Sequence, residues 1–144
     1  LYNDGEDYTF LINSHKDKMK IKFTNHENIN KVYAHMQNVI DPVIVEKLVK
    51  LIFEEDTTIS IGSVNFDKNG YHSSKMFRAK SVLWTEQIHP PLLDGGNVIL
   101  YKVSKPTVAL EFAIVPIKNL NGIIIPELVE SCYKEYHALN QSGV

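Results

Sequence analysis

The chain has 144 residues, of which 44% are hydrophobic and 22% charged, and its formal net charge at pH 7 is −2. This length fits one domain or two small lobes that share a core, and the composition is typical of a globular protein rather than a disordered one. Because nucleic-acid binding usually depends on a strongly basic face, the weak negative charge argues against a nucleic-acid partner.

Cys132 is the only cysteine. A single cysteine excludes an internal disulfide and a zinc site rich in thiolates. It fits a reducing compartment, so we expect a cytoplasmic protein, or one on the cytoplasmic face of the membrane if a longer protein is anchored there. No stretch reaches the roughly 18 apolar residues that would span a bilayer. Because the chain begins at Leu1 rather than Met, we expect a processed product or a piece of something longer.

Apolar and polar residues alternate in two segments near the start of the chain, Tyr8–Ile12 and Lys18–Phe23. The polar stretch NSHKDK between them is typical of a turn. The pattern therefore predicts a β-hairpin with its lysines in solvent and its Met-Ile-Phe face buried.

The next segment changes to helical spacing. Thr24 and Glu27 form a capping box, which predicts the start of a helix. Asp41 and Pro42 restart the pattern as N-cap and first helical residue, and the apolar stripe then continues to Ile52. We expect two helices separated by a kink or break, since one continuous helix is disfavoured across a proline.

From Thr57 the pattern is that of strands again. Apolar residues change from one parity to the other at Gly62, which predicts a bulge or bend. DKNG at 67–70 predicts a turn, since Asn69-Gly70 is the pair that best tolerates positive φ. Further strands are predicted around 74–77, 80–88, 97–103 and 107–114. In the last of these, alternate apolar residues are expected to share one face, with Glu111 in solvent; they are Val108, Leu110, Phe112 and Ile114.

An amphipathic helix is predicted from about residue 121 to Leu139, with Pro126 in its first turn. Its apolar stripe contains Leu128 and Cys132. The order of elements is then two strands, a helical pair, five strands and a helix. Short turns between strands predict antiparallel pairing, so the class is α+β. We divide the chain into residues 1–56, a hairpin with the helical pair, and 57–144, a strand meander with the C-terminal helix.

Several stretches after Thr57 carry a family resemblance: IGSVNFD, KNG, SVLWTEQI with Trp84 before Thr85 and Glu86, DGGNVILYK, and NLNGIIIPELVE. In this order they resemble bacterial pleckstrin-homology-like (PH-like) domains of unknown function. The resemblance is best over 57–139. Residues 8–55 look like the last hairpin and C-terminal helix of a preceding PH-like unit, as at the end of a tandem pair.

This resemblance implies an antiparallel sheet or partly open barrel capped by the C-terminal helix. A full PH-like sandwich has seven strands, and only five are predicted after Asp56. Either the first hairpin completes the sheet or the second unit is reduced. The implied role is binding or scaffolding, since the fold carries many unrelated ligands.

Two features could form a binding site. Trp84 is interpreted as a core residue packed on the terminal helix, with ligand stacking as the alternative. Lys68, Lys75, Arg78 and Lys80 could contact an anion or lipid head group, as basic residues near a hairpin do in eukaryotic PH domains. The alternative is that these charges protect a hairpin edge from self-pairing.

Catalytic and metal-binding signals are weak. The six histidines are scattered without metal-ligand spacing, and no GxSxG motif occurs. Cys132 falls on an apolar helical stripe, where a thiol is normally inert. Glu86 with Asp94, or Glu111 alone, are weak acid–base candidates. DGGN at 94–97 is interpreted as a turn and not a phosphate loop. We therefore expect no catalytic residue, no metal site and no cofactor.

The hypothesis preferred from the sequence is a non-enzymatic binding or scaffolding module with a protein partner. One alternative is binding to an anionic membrane surface through the basic hairpin at 68–80. Another is a cone-shaped fold similar to the nuclear-transport-factor-2-like group, whose pocket would hold a small molecule or an active site. The sequence leaves the partner, the oligomeric state and the upstream context open.

Overall fold

The structure is a computed structural model that describes residues 2–4, 7–13, 18–23, 31, 34–35, 38–39, 41–73, 80–119 and 122–143. The chain divides into two compact units, Leu1–Pro42 and Val43–Val144.

The first unit contains a three-stranded antiparallel sheet in the order β1-β2-β3. Its strands are β1 (Tyr2–Asp4), β2 (Asp7–Asn13) and β3 (Lys18–Phe23). The predicted hairpin is confirmed by the pairing of β2 with β3. β1 was not predicted, because its three residues are too few to show an alternating pattern. The helix predicted to begin at Thr24 falls largely outside the described residues.

Helix α1 (Asp41–Phe53) begins at the Asp-Pro pair, as predicted. Within the second unit it contributes Val45 and Ile52 to the core, at 3% and 0% exposure. These two positions are seven apart, or about two helical turns, so they lie on one face.

Seven strands follow α1 in the part of the chain that the structure describes. β4 (Ile59–Ile61), β5 (Val64–Asp67), β6 (Gly70–Ser73) and β7 (Ser81–Leu83) form a four-stranded antiparallel sheet in that order. β8 (Leu92–Asp94), β9 (Asn97–Lys105) and β10 (Val108–Pro116) form a three-stranded antiparallel sheet in the order β10-β9-β8. The α+β class is confirmed. The two sheets are separate and do not close into a barrel.

Three strands escaped prediction: one of the pair β4 and β5, which were interpreted as a single strand, together with β6 and β8. Gly62 has φ +59° and lies in a two-residue turn between β4 and β5. The change of apolar parity at this residue therefore marks a hairpin turn rather than a bulge within one strand. β8 lies in the proline- and glycine-rich stretch that was interpreted as a connection. The strand predicted around 74–77 lies outside the described residues, and the one predicted at 80–88 already ends at Leu83.

The turn at 67–70 forms as predicted, but its backbone differs. Positive φ is found at neither Asn69 nor Gly70. Instead, Oδ1 of Asp67 accepts the backbone N–H groups of Asn69 at 2.7 Å and Gly70 at 3.1 Å, which closes the turn. Gly70 is required for another reason: a Cβ there would lie 2.0 Å from the carbonyl oxygen of Val82 on β7.

A β-bulge in β10 overturns the predicted alternation in that strand. Tyr101 pairs with Glu111 and Leu100 with Ala113, so Phe112 is the extra residue. The bulge reverses the parity beyond it. Phe112 is therefore buried at 8% exposure, whereas Ile114, expected on the same face, is 45% exposed.

The core lies between the two sheets and the C-terminal helix. One row crosses the four-stranded sheet through residues that pair in register: Ile59, Phe66, Tyr71 and Val82. Tyr71 reaches the other sheet, where its ring meets Phe112 edge-on with centroids 5.4 Å apart and its hydroxyl donates to the carbonyl oxygen of Tyr101 at 3.1 Å.

Helix α2 (Ile125–Gln141) follows a 3-10 turn, Gly122–Ile124, so the α-helix starts a few residues later than predicted. Pro126 is in its first turn, as expected. Leu128 and Cys132 are fully buried, which confirms the predicted stripe, but Leu139 at its end is 50% exposed. Among the described residues, no helix is both long enough and apolar enough to cross a membrane.

Candidate interaction surface

The outer face of the three-stranded sheet is apolar. Register places Ile114 on β10, Ile99 on β9 and Leu92 on β8 in one row across the sheet. Directly paired residues project to the same side of a sheet. Leu92 is 49% exposed, Ile114 is 45% exposed and Ile99 is half-buried. We call the side of the sheet that carries this row the apolar face.

Further along β9, Tyr101 and Val103 continue the apolar face, since alternate residues of a strand share a side. Val103 pairs with Ala109, and Tyr101 pairs with Glu111, whose carboxylate is exposed as predicted. Beside this row, the imidazole of His89 lies against the ring of Tyr101 with centroids 4.9 Å apart. The apolar face thus has a hydrophobic middle and ionisable groups near its edges.

Exposed apolar side chains of the second unit concentrate on this sheet. In the described part of that unit, eight large hydrophobic residues are exposed, and five of them lie on β8 or β10: Leu92, Leu93, Val108, Leu110 and Ile114. Leu92 and Ile114 project to the apolar face, whereas Leu93 pairs with buried Val98 and Leu110 pairs with Lys102, so these two project to the other side of the sheet. Single exposed hydrophobics are normal, but an apolar row across a sheet is typical of an interaction site.

The four-stranded sheet has the opposite character on its outer side. One polar row crosses all four strands in register: Ser60, Asn65, His72 and Ser81. The Ser60 hydroxyl donates to Oδ1 of Asn65 at 2.7 Å. The second unit therefore presents one outer sheet face crossed by a polar row and one crossed by an apolar row.

An Asp–His pair lies on the polar face and was missed from the sequence. Nε2 of His72 is 2.5 Å from Oδ2 of Asp67, and both side chains are partly exposed. Gly70 directly opposes Asp67, so no side chain separates the two groups. The turn motif DKNG fixes the hairpin register and was the signal from which this pair could have been found.

Ser81 directly opposes His72 on the neighbouring strand. A serine, a histidine and a carboxylate are thus neighbours on the polar face, but the imidazole's described hydrogen bond runs to Asp67 and not to the hydroxyl. An activated nucleophile requires that second bond. The arrangement is best explained as a contact that stabilises the β5–β6 hairpin.

The basic residues predicted to contact an anion are only partly described. The ammonium of Lys68 lies 2.7 Å from Oδ2 of Asp56, and Lys80 is exposed. Lys75 and Arg78 lie outside the described residues. The anionic-lipid hypothesis stays a prediction. Lys68 forms an ion pair with Asp56, so its charge is partly neutralised within the protein.

Trp84 is a core residue, as the preferred interpretation held. Its side chain is fully buried, its ring lies 5.5 Å from that of Tyr71, and its indole N–H donates to the carbonyl oxygen of Asp67 at 2.9 Å. Its own carbonyl accepts a hydrogen bond from Nε2 of His137 on α2 at 3.0 Å. The buried indole is therefore not accessible for stacking on a ligand that approaches from solvent.

Glu86 has a structural role in a turn. Its Oε2 accepts the backbone N–H of Leu83 at 2.8 Å, and its Oε1 lies 3.5 Å from the ammonium of Lys102. That ammonium also donates to the carbonyl oxygen of Ser81 at 2.8 Å, which ties β9 to β7. Asp94, the other carboxylate considered with Glu86, is exposed on β8. No described contact joins these two acids.

Cys132 is fully buried, and burial raises the pKa of its thiol to about 12, with Glu135 adding to the shift. Burial also raises the pKa of Tyr71, with a further contribution from Glu86. Since the thiolate is the nucleophilic form of cysteine, Cys132 is inert packing at neutral pH, as expected from its place on the helical stripe.

Stability is expected to fall above pH 9. Below the ordinary thiol pKa of 9.0 both folded and unfolded chains hold the Cys132 proton; between 9.0 and about 12 only the folded chain does, so rising pH favours unfolding. The slope approaches about 1.4 kcal/mol per pH unit for one such group. Urea midpoints at pH 8, 9 and 10 should fall more steeply for the wild type than for Cys132→Ala. Parallel slopes for the two proteins would contradict a buried, protonated thiol.

Within the described residues, no three histidine, cysteine or acidic side chains are placed to hold a metal ion. The second unit is thus a small α+β fold of two antiparallel sheets and a C-terminal helix, with one apolar outer sheet face. Comparison with protein-family models, curated proteins and solved structures finds no match for this chain.

Proposed function

We propose that the chain is a non-enzymatic, PH-like protein-binding module that contacts its partner through the apolar face. The observation that carries this proposal is the contrast between the two sheets of the second unit. One outer face carries the polar row of Ser60, Asn65, His72 and Ser81, whereas the other carries the apolar row of Leu92, Ile99 and Ile114. Exposed apolar rows with charged edges are the usual composition of protein contact surfaces.

The PH-like part of the proposal is supported by the strand count. Five predicted strands after Asp56 were too few for the family's seven-stranded sandwich, but the described residues after Asp56 form seven, four in one sheet and three in the other. The terminal helix packs its buried stripe, including Leu128 and Cys132, into their common core. These features support the PH-like fold, from which the binding role is proposed.

The interior favours binding over catalysis. Core-facing side chains of the strands are mainly Val, Ile, Leu and aromatic residues, which supply no acid–base pair. The Asp67–His72 pair, which most resembles part of a catalytic arrangement, is used within a hairpin. The anionic-surface alternative has weaker support, because Lys68 is already paired with Asp56.

Photocrosslinking tests the contact surface directly. Benzoylphenylalanine would replace Ile114 or, as the matched control on the polar face, Ser60; both are exposed strand positions. In cells that make the protein, irradiation should give discrete adducts from position 114 and none from position 60, because the crosslinker reacts with protein within contact distance. Equal adducts from both positions, or none from position 114, would refute the proposed surface.

A further inference from the structure

We infer that Asn69 is a site of self-modification, at which the backbone nitrogen of Gly70 displaces ammonia from the Asn69 side chain. An Asn-Gly pair is suited to this reaction, because glycine has no side chain to hinder the approach of its nitrogen to the preceding side-chain amide. Two such pairs occur in the chain, Asn69-Gly70 and Asn121-Gly122. The surroundings of the two glycine nitrogens differ, and those of Gly70 favour the reaction.

A carboxylate is bound to the nucleophilic nitrogen of the first pair. Oδ1 of Asp67 accepts the backbone N–H of Gly70 at 3.1 Å, a distance that suits a general base and the proton that it removes. The carboxylate is fixed in place, because Oδ1 also accepts the backbone N–H of Asn69 at 2.7 Å and Oδ2 lies 2.5 Å from Nε2 of His72. Oδ1 is therefore placed to take the proton of Gly70 as its nitrogen attacks.

The carbonyl group of the same peptide bond is also activated. When an amide nitrogen loses its proton, resonance moves much of the negative charge to the carbonyl oxygen. The carbonyl oxygen of Asn69, which belongs to the Asn69–Gly70 peptide, accepts the backbone N–H of Trp84 at 2.9 Å. A fixed donor at a developing negative charge stabilises it. The base and the donor thus act on the two ends of one peptide group.

The nitrogen of the second pair has a different partner among the described residues. The backbone N–H of Gly122 donates to the carbonyl oxygen of Asn119 at 2.9 Å. A neutral amide oxygen is a far weaker base than a carboxylate, so this bond holds the proton of Gly122 instead of removing it. Asn121-Gly122 therefore provides an internal reference of the same sequence type.

The atoms of the reaction balance with water as its co-reactant. The nitrogen of Gly70 forms a bond to Cγ of Asn69, and its proton passes to the carboxylate of Asp67. The Cγ–Nδ2 bond of Asn69 then breaks, and the side-chain nitrogen leaves as ammonia with that proton. The product is a five-membered succinimide ring, which one water molecule opens to aspartate or isoaspartate. Asn69 is exposed, so ammonia can leave and water can enter.

The modification changes the β5–β6 hairpin in two ways. Both products add a negative charge beside Lys68, whose ammonium already pairs with Asp56. The isoaspartate form also adds one methylene group to the backbone of the turn between the paired strands β5 and β6. Because the chain alters only itself and is not regenerated, this chemistry is compatible with a non-enzymatic module and is independent of the proposed contact surface.

Mass spectrometry of the purified full chain tests the inference at both Asn-Gly pairs. Samples are incubated at neutral pH, either folded in buffer or unfolded in guanidinium chloride, and are then digested with pepsin in acid, where succinimide formation is slow. The mass increase of each peptide reports deamidation, and a separate chromatographic peak reports isoaspartate. Asn69 should react about 10-fold faster or more in the folded chain than in the unfolded chain. Asn121 should react more slowly in the folded chain.

Asp67→Asn is the matched variant, since it keeps a side-chain oxygen for the N–H groups of the turn but removes the base. In this variant Asn69 should react about 10-fold more slowly or less than in the folded wild type, at an unchanged rate for Asn121. A rate below that of the unfolded chain would show that the turn stays closed and only the base is lost. The inference is overturned if folding does not accelerate the reaction at Asn69, or if Asp67→Asn reacts there as fast as the wild type.

Discussion

Replacement of Trp84 by alanine is expected to lower the free energy of unfolding by about 3–5 kcal/mol, the usual range for removal of a buried tryptophan. The ring is fully buried and contacts Tyr71, which in turn contacts Phe66 and Phe112. Truncation leaves a cavity among these aromatic rings and removes the indole hydrogen bond to the carbonyl oxygen of Asp67. Both losses act on the region where the two sheets and α2 meet.

Urea unfolding followed by far-UV circular dichroism measures this loss without depending on tryptophan fluorescence. Trp84→Phe is the matched control, since it keeps most of the apolar bulk and removes the N–H donor. Its loss should be smaller, about 1–3 kcal/mol, from a smaller cavity and one buried acceptor left without its partner. A Trp84→Ala protein within about 1 kcal/mol of the wild type would show that the ring is not part of the core.

Replacement of Gly70 by alanine is expected to cost about 3 kcal/mol or more, or to prevent folding altogether. The added Cβ would lie 2.0 Å from the carbonyl oxygen of Val82 and 2.9 Å from Cα of Leu83. Both are backbone atoms of β7, which pairs with β6, so relief requires the two strands to separate. Separation would also disturb Trp84, whose backbone N–H donates to the carbonyl oxygen of Asn69.

Gly95→Ala is the control for this prediction. Gly95 has φ +53°, yet a Cβ there meets nothing within 4 Å. The substitution should therefore cost only the backbone strain of a left-handed alanine, about 1 kcal/mol. Thermal or urea unfolding of both variants checks the comparison. Equal losses for Gly70→Ala and Gly95→Ala would mean that backbone conformation, and not the close approach of β7, accounts for the effect.

Binding and stability should be separable in this protein. Trp84 and Gly70 act within the core and the four-stranded sheet, and their replacement affects the population of folded chain. Ile114 lies on the outer side of the three-stranded sheet and is 45% exposed, so a lysine can extend its charge into solvent in the monomer. Loss of association by Ile114→Lys at unchanged stability would therefore report on the surface itself.

Local patterns predicted much of the secondary structure. Alternation predicted the β2–β3 hairpin, and the Asp41-Pro42 pair predicted the start of α1. The stripe containing Leu128 and Cys132 predicted the buried side of α2. These features depend on spacing along the chain, which the sequence contains directly. The burial of Trp84 followed from the same argument, because a large ring flanked by apolar neighbours is most stable in the core.

The apolar face was not predicted, although every residue in it was visible. In β10, the alternation of Val108, Leu110, Phe112 and Ile114 suggested one buried side. The bulge at Phe112 moved Ile114 outward and put Val115 in the core at 0% exposure. Whether a strand bulges depends on how its partner strand and the opposite sheet fit it, and neither is encoded in the strand's own period. β8 was missed similarly, because three residues form a strand only when β9 is available to pair with them.

The Asp67–His72 pair also depended partly on a local pattern and partly on the pairing of strands. The turn at DKNG was recognised, but the contact required the register of β5 with β6 and the missing side chain at Gly70. By itself, then, the sequence determined the β2–β3 hairpin, the turn at 67–70, the start of α1 and the buried side of α2. It did so because turn chemistry and periodicity act over a few neighbouring residues. Only the tertiary structure decided which apolar residues stayed outside, because register, bulges and sheet-on-sheet packing are settled between segments far apart in the chain.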